Sequence, residues 1–157
     1  MLHQAGYQVL AKCRTGNKED GCAIFYNREK FSLEFSHEVE YNVGEAGLLD
    51  KDNIAVIAGL KSAVSGGQFL VATTHLLFRS VLVMKLHLSS HFISISLSLS
   101  SPRRHEVRLA QTALLLAEVD RLAWRERGHL PLIITGDFNS RPNSPSYCLL
   151  KYGQARH

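Results

Sequence analysis

Three places in the sequence combine polar side chains with the ends of apolar runs, and each suggests a kind of chemistry. Thr73-Thr74-His75-Leu76 ends an apolar stretch in an imidazole that can meet an anionic substrate. Gly136-Asp137-Phe138-Asn139 places a carboxylate and an amide two residues apart after a glycine. Asp137 can orient or deprotonate water or bind a divalent cation, and Asn139 can polarise a phosphoryl oxygen without adding negative charge. The third place is Pro102-Arg103-Arg104-His105 with Arg108, a basic cluster where a helix begins; arginine forks and helix N-terminal amides both favour phosphate oxygens. Taken one at a time, each has a plain structural alternative: a strand histidine, an Asx turn, a solvated helix face.

The elements that must position these groups follow from periodicity. Gly21 to Tyr26 has the β-rich apolar content of a short strand, Asn27 to Lys30 reads as a hairpin connection, and Phe31 to Phe35 alternates apolar and polar, so two antiparallel strands are expected there. Asn53 to Leu60 and Gln68 to Thr74 are continuous apolar runs separated by Ser65-Gly66-Gly67, as suits strands covered on both faces. From Glu106 to Arg125, Leu109, Ala113, Leu116, Val119 and Ala123 recur at three- and four-residue spacings, which predicts a helix buried along that line, with Pro102 and Gly128 as its start and stop signals. Leu130 to Thr135 is a compact apolar run ending at the Gly136-Asp137 turn. The order strand, helix, strand, polar loop is α/β, with polar groups delivered at strand ends.

With 157 residues, 45% of them hydrophobic, the chain has room for one ordinary domain and is neither collagen-like nor disordered. No apolar run is long enough to span a membrane, because Lys85, His87 and a series of serines break the longest one. The net charge of +4 conceals an asymmetry: residues 1–60 carry 6 Lys/Arg against 9 Asp/Glu, the remainder 12 against 5. A basic second part suits a polyanionic partner. The three cysteines, Cys13, Cys22 and Cys148, leave one unpaired under any disulfide scheme, and no signal-peptide pattern opens the chain. A reducing compartment is expected, cytoplasmic or else nuclear, without membrane contact.

Residues 79–101 stand apart. The stretch has eight serines in 23 residues, no acidic residue, no Gly and no Pro, and ends in a Ser/Leu alternation. One reading is an amphipathic strand with a serine face. The other comes from the genetic code: a TC repeat read in frame gives Ser-Leu-Ser-Leu, so the segment looks like the translation of a polypyrimidine tract. It is then an insertion, from a retained intron or a gene-model error, between flanks Phe78 and Pro102 that belong together.

The combination of blocks is more specific than its parts. Asp20-Gly21-Cys22-Ala23, Asp52-Asn53-Ile54-Ala55, Thr74-His75-Leu76-Leu77, Pro102-Arg103-Arg104 followed by Arg108-Leu109-Ala110-Gln111, and Gly136-Asp137-Phe138-Asn139-Ser140 with Pro142 and Ser144-Pro145 occur in one order. This resembles the endonuclease/exonuclease/phosphatase superfamily, and within it the Angel-type relatives of the carbon-catabolite-repression deadenylases and nocturnin. The resemblance implies a two-sheet α/β sandwich of deoxyribonuclease-I-like type and a magnesium-dependent RNA phosphodiesterase or 3′-exonuclease of deadenylase type, with an RNA 3′ end as partner. It assigns His75 to the scissile phosphate, Asp137 to the attacking water and Asn139 to the phosphate in the transition state, with Arg103 and Arg108 helping to position RNA. The family's early Asn, its metal-binding Glu and its closing Asp/His pair have no counterpart among these residues. The resemblance therefore implies residues 1–157 as part of one catalytic domain, incomplete at both ends, with no metal ligand of its own and inactive alone. The alternative from another class is a non-catalytic nucleic-acid- or protein-binding fragment.

Overall fold

The computed structural model describes residues 5–44, 47–78, 82–88, 91–97 and 103–155. The order is β1 (Tyr7–Cys13), β2 (Gly21–Asn27), β3 (Phe31–Glu40), β4 (Ile54–Ser62), β5 (Gln68–His75), β6 (Leu82–Leu88), β7 (His91–Leu97), α1 (Arg103–Asp120), β8 (Leu132–Asp137) and α2 (Pro145–Tyr152). A π-helical turn, Arg121–Arg125, extends α1. No helix among the described residues is long and apolar enough to cross a membrane.

The main sheet runs β3-β4-β5-β8. Its first three strands are an antiparallel meander, and β8 joins β5 in parallel after the crossover through α1. Strand β4 is buried from Ile54 to Leu60, as its unbroken apolar run requires. One face packs on α1 through Val39, Tyr41, Ala55, Ile57, Leu70, Ala72, Leu115 and Val119. The other carries Ile54, Val56, Ala58 and Leu60 against Ile24 and Tyr26 of the two-stranded β1-β2 sheet. Two sheets face to face with a helix outside is the α/β sandwich of the deoxyribonuclease-I-like fold.

Three local expectations are corrected. The chain between β2 and β3 is not the loop of a hairpin: β2 pairs with β1 and β3 with β4, so the turn at residues 28–30 carries the chain from one sheet to the other. Alternation identifies strands but says nothing about which strands pair. The buried stripe of α1 is also rotated from the apolar line: Ala113 is exposed and Leu109 and Leu116 half-buried, while Val107, Arg108, Gln111, Thr112, Leu115 and Val119 are buried. Polar side chains claim core positions there because Gln111 and Arg108 bind backbone groups where β5 ends and Thr112 donates back to Arg108 O in its own helix. Finally, β1 and α2 exist where no element was assigned.

The 79–101 segment contains both strands β6 and β7, antiparallel to one another in register from Leu82↔Leu97 to Leu88↔His91. Among the described residues this hairpin forms a sheet of its own and adds no strand to the main one. Strands β5 and β8 are direct neighbours across it, from Leu70↔Leu132 to His75↔Asp137.

Candidate active site

The alternation along β5 sends Leu70, Ala72 and Thr74 toward α1 and Phe69, Val71 and His75 toward the β1-β2 sheet. His75, the last residue of β5, therefore lies on the inter-sheet side of the rim. The parallel register makes Asp137 its neighbour on β8, and in-register neighbours present their side chains to the same face. Asp137 and Asn139 are linked locally, since the Asn139 backbone N–H donates to Asp137 Oδ1 at 2.9 Å in an Asx turn. Asn139 sits in the left-handed region at φ 46°, which asparagine tolerates better than most residues. Its Nδ2 donates to Leu76 O at 2.8 Å, anchoring the loop back onto the β5 terminus. His75, Asp137 and Asn139, far apart in sequence, are thus brought to one end of the sheet.

Gly136 makes that approach possible. Its φ is 124°, and a Cβ there would lie 2.0 Å from Thr74 O, so only a residue without a side chain fits. One strand inward, Thr74 is buried; its Oγ1 donates to Ile54 O at 2.9 Å and accepts from Tyr41 Oη at 2.9 Å. Burial pushes the Tyr41 phenol up, so it remains a neutral donor at physiological pH.

Every backbone polar group from His75 O to Leu77 O is held by another element. Asn53 Nδ2 donates to His75 O at 2.9 Å, and Leu76 N donates to Asp137 O at 2.9 Å. Leu76 O accepts from Asn139, and Leu77 N donates to Gln111 Oε1 at 3.0 Å. Arg108 Nη1 reaches Leu77 O at 3.4 Å, and its Nη2 lies 2.9 Å from His105 Nδ1. Arg108 is 4% exposed, so it ties α1 to the strand end from within the protein. Arg103 opens α1, and its side chain lies outside the described residues.

The start of β2 borders the same rim. Burial pushes the Cys22 thiol up, opposed by a bond to the His75 backbone. Arg14 donates to Asp20 at 2.9 Å and holds its carboxyl below the ordinary carboxylate range. Asn42 and Thr15 do the same for Asp52. Asn53 and Gln111 were given no role by the sequence, although both stand inside the blocks that carry the resemblance; an uncharged amide at the edge of an apolar run, as in Asn53-Ile54-Ala55-Val56, is the signal that marks such a position.

As for a metal, Asp137 is a hard oxygen donor at the rim, but among the described residues no three His, Cys, Asp or Glu side chains come together to hold an ion. The residues described here do not by themselves fit a complete metal centre.

A family model described as the Endonuclease/Exonuclease/phosphatase family matches residues 2–157. Protein angel homolog 2 of Bos taurus is 34% identical over 160 residues, an alignment spanning 99% of this chain and 25% of that protein. Among solved structures, ANGEL2, described as a 2′,3′-cyclic phosphatase and crystallised with adenosine-2′,3′-vanadate, superposes with a TM-score of 0.76 at 36% identity, covering 97% of this chain and 38% of that one. The human nocturnin catalytic domain with bound sulfate gives 0.71 at 25% identity, with 96% and 49% covered. The chain thus spans about a quarter of the length of the curated relative it matches.

Proposed function

The chain belongs to the endonuclease/exonuclease/phosphatase family, and from that premise we propose that it carries the phosphate-handling rim of a divalent-metal-dependent hydrolase acting on phosphate esters at RNA 3′ ends. The observation that carries this reading is the convergence of His75, Asp137 and Asn139 where β5 and β8 end side by side. A 2′,3′-cyclic phosphate is the first substrate to test, because the ANGEL2 structure shares more identity with this chain than nocturnin does. Removal of a poly(A) tail is the second.

In this reading a water oxygen forms the new P–O bond, the leaving ribose oxygen keeps the electron pair of the bond that breaks, and Asp137 takes the proton from water. Asp137 Oδ1 already accepts from the Asn139 backbone, which fixes the carboxylate and leaves it lone pairs for the water. The Asn139 amide commits one hydrogen to Leu76 O and has a second for a phosphoryl oxygen. His75 supplies a further donor to the phosphate. In such sites a divalent ion neutralises charge developing on the phosphoryl oxygens.

The test compares the full-length protein with its Asp137→Asn and His75→Ala variants on oligoribonucleotides ending in a cyclic phosphate or a 3′-hydroxyl oligo(A), with magnesium and with chelator. Asp137→Asn should lower kcat about 100- to 1,000-fold. Unchanged turnover in that variant would remove Asp137 from the mechanism. Binding of both RNAs without cleavage would favour the non-catalytic alternative.

A further inference from the structure

We propose that Asn53 and Gln111 are positioning residues that act together as a one-way amide clamp on the strand end that presents His75. The inference rests on the proposed function. Its basis is the direction of the hydrogen bonds. Leu77 N–H donates to Gln111 Oε1 at 3.0 Å, Gln111 Nε2 donates to Asn53 Oδ1 at 3.2 Å, and Asn53 Nδ2 donates to His75 O at 2.9 Å. The two ends of this relay are backbone groups, an N–H that can only donate and a C=O that can only accept, so neither amide can be flipped without setting donor against donor or acceptor against acceptor. Asn53 is 2% exposed and Gln111 0%, which excludes water as a substitute partner and makes each unmade bond costly.

The clamp spans three elements. Asn53 immediately precedes β4, His75 ends β5, and Gln111 lies on the third turn of α1. It grips the chain on both sides of Leu76, whose own N–H and C=O are held by Asp137 and Asn139. The helix thereby fixes the height and twist at which β5 delivers His75, while the β8 loop fixes Asp137 and Asn139 against the same residue. Neither Asn53 nor Gln111 touches substrate in this arrangement; they set the orientation of a residue that does.

The polarity of the relay gives a test that simple loss of stability does not mimic. In Asn53→Asp a neutral acid can replace the amide, its hydroxyl donating to His75 O and its carbonyl accepting from Gln111. The ionised carboxylate cannot, because it faces His75 O with an acceptor. The other charged or titratable groups on the elements around it are Arg108 and His105 on α1, His75 on β5, Asp137 on β8, Cys22 on β2, Tyr41, whose N–H donates to Asn53 O, and Asp52 beside it in the chain. Desolvation and Asp52 raise the new carboxyl, and Arg108 opposes them.

The experiment uses the full-length protein as wild type, Gln111→Met, Asn53→Leu and Asn53→Asp. The readouts are kcat and KM on an oligoribonucleotide ending in a 2′,3′-cyclic phosphate from pH 5 to 9, and the His75 imidazole resonance assigned by its loss in His75→Gln. Gln111→Met and Asn53→Leu should lower kcat about 10- to 100-fold with KM nearly unchanged, and displace the His75 resonance. The activity of Asn53→Asp relative to wild type should fall as pH rises; a flat ratio across that range overturns the one-way clamp. Unmoved kcat and an unmoved His75 resonance in the two apolar variants overturn it as well. Should an apolar variant fail to fold, Asn53→Asp, which keeps the native shape, decides the matter. A wild type that cleaves nothing defeats the proposed function, while the His75 resonance, which needs no substrate, still upholds the clamp if displaced and overturns it if not.

Discussion

The rim formed by β5 and β8 and the hairpin formed by β6 and β7 are joined by a few residues, and both are made of paired strands. At the rim, His75 to Leu77 is held by side chains from the segment before β4, from α1 and from the loop after β8. The hairpin, among the described residues, pairs only strand with strand. The difference teaches that pairing alone does not make a strand part of a fold. Membership comes from what other elements bury and satisfy, and the crossover from β5 through α1 to β8 is complete in those terms without residues 79–101. We therefore propose that this segment is an insertion into one domain unit.

Three substitutions and one segment replacement sharpen or break that contrast. Gly136→Ala strikes the rim where the backbone itself blocks a side chain, and should cost about 4 kcal/mol or more, read from urea unfolding. A loss below 1 kcal/mol would mean that the β8 loop is not tightly seated. Leu76→Ala removes a fully buried side chain from the middle of the clamped segment and should cost about 3 kcal/mol in the same assay. Tyr41→Phe deletes a single buried hydroxyl. Thr74 keeps its bond to Ile54 O, so the expected cost is about 1 kcal/mol, visible as a small drop in melting temperature. Replacing residues 79–101 with a short Gly/Ser linker should change stability by no more than about 1 kcal/mol, the closure term for shortening the β5–α1 connection to roughly a third. A loss of 2 kcal/mol there would show that the hairpin is part of the domain after all.

Much of the fold was legible because burial on both faces leaves unbroken apolar runs, as in β4 and β5. Partner choice was not, since nothing local to residues 21–35 tells β2 to pair backward with β1. The face of α1 was misjudged because Arg108, Gln111 and Thr112 occupy core positions as polar groups with backbone partners, and an apolar count passes over them. Strand β1 is largely exposed and carries a weak signal. Helix α2 had a usable one: Ser144 caps Tyr147 N, Pro145 occupies the first turn and Gly153 closes the helix at φ 68°. At the site, residue types at strand ends pointed to His75, Asp137 and Asn139, while the amides that hold them in place look like ordinary polar residues until the chain is folded.

The parallel pairing of β8 with β5 also bears on how the chain reaches this structure. Strands β3, β4 and β5 are consecutive antiparallel partners and can zip together as successive hairpins, a more local and therefore faster process than parallel pairing across α1. Strand β8 must wait for α1 to form and dock, and for everything between His75 and Leu132 to be gathered into one closed loop. The meander with its helix is thus expected to assemble first and β8 to join last. Asp137 would then reach His75 only in the final step, so that the reactive rim comes into being when folding is complete.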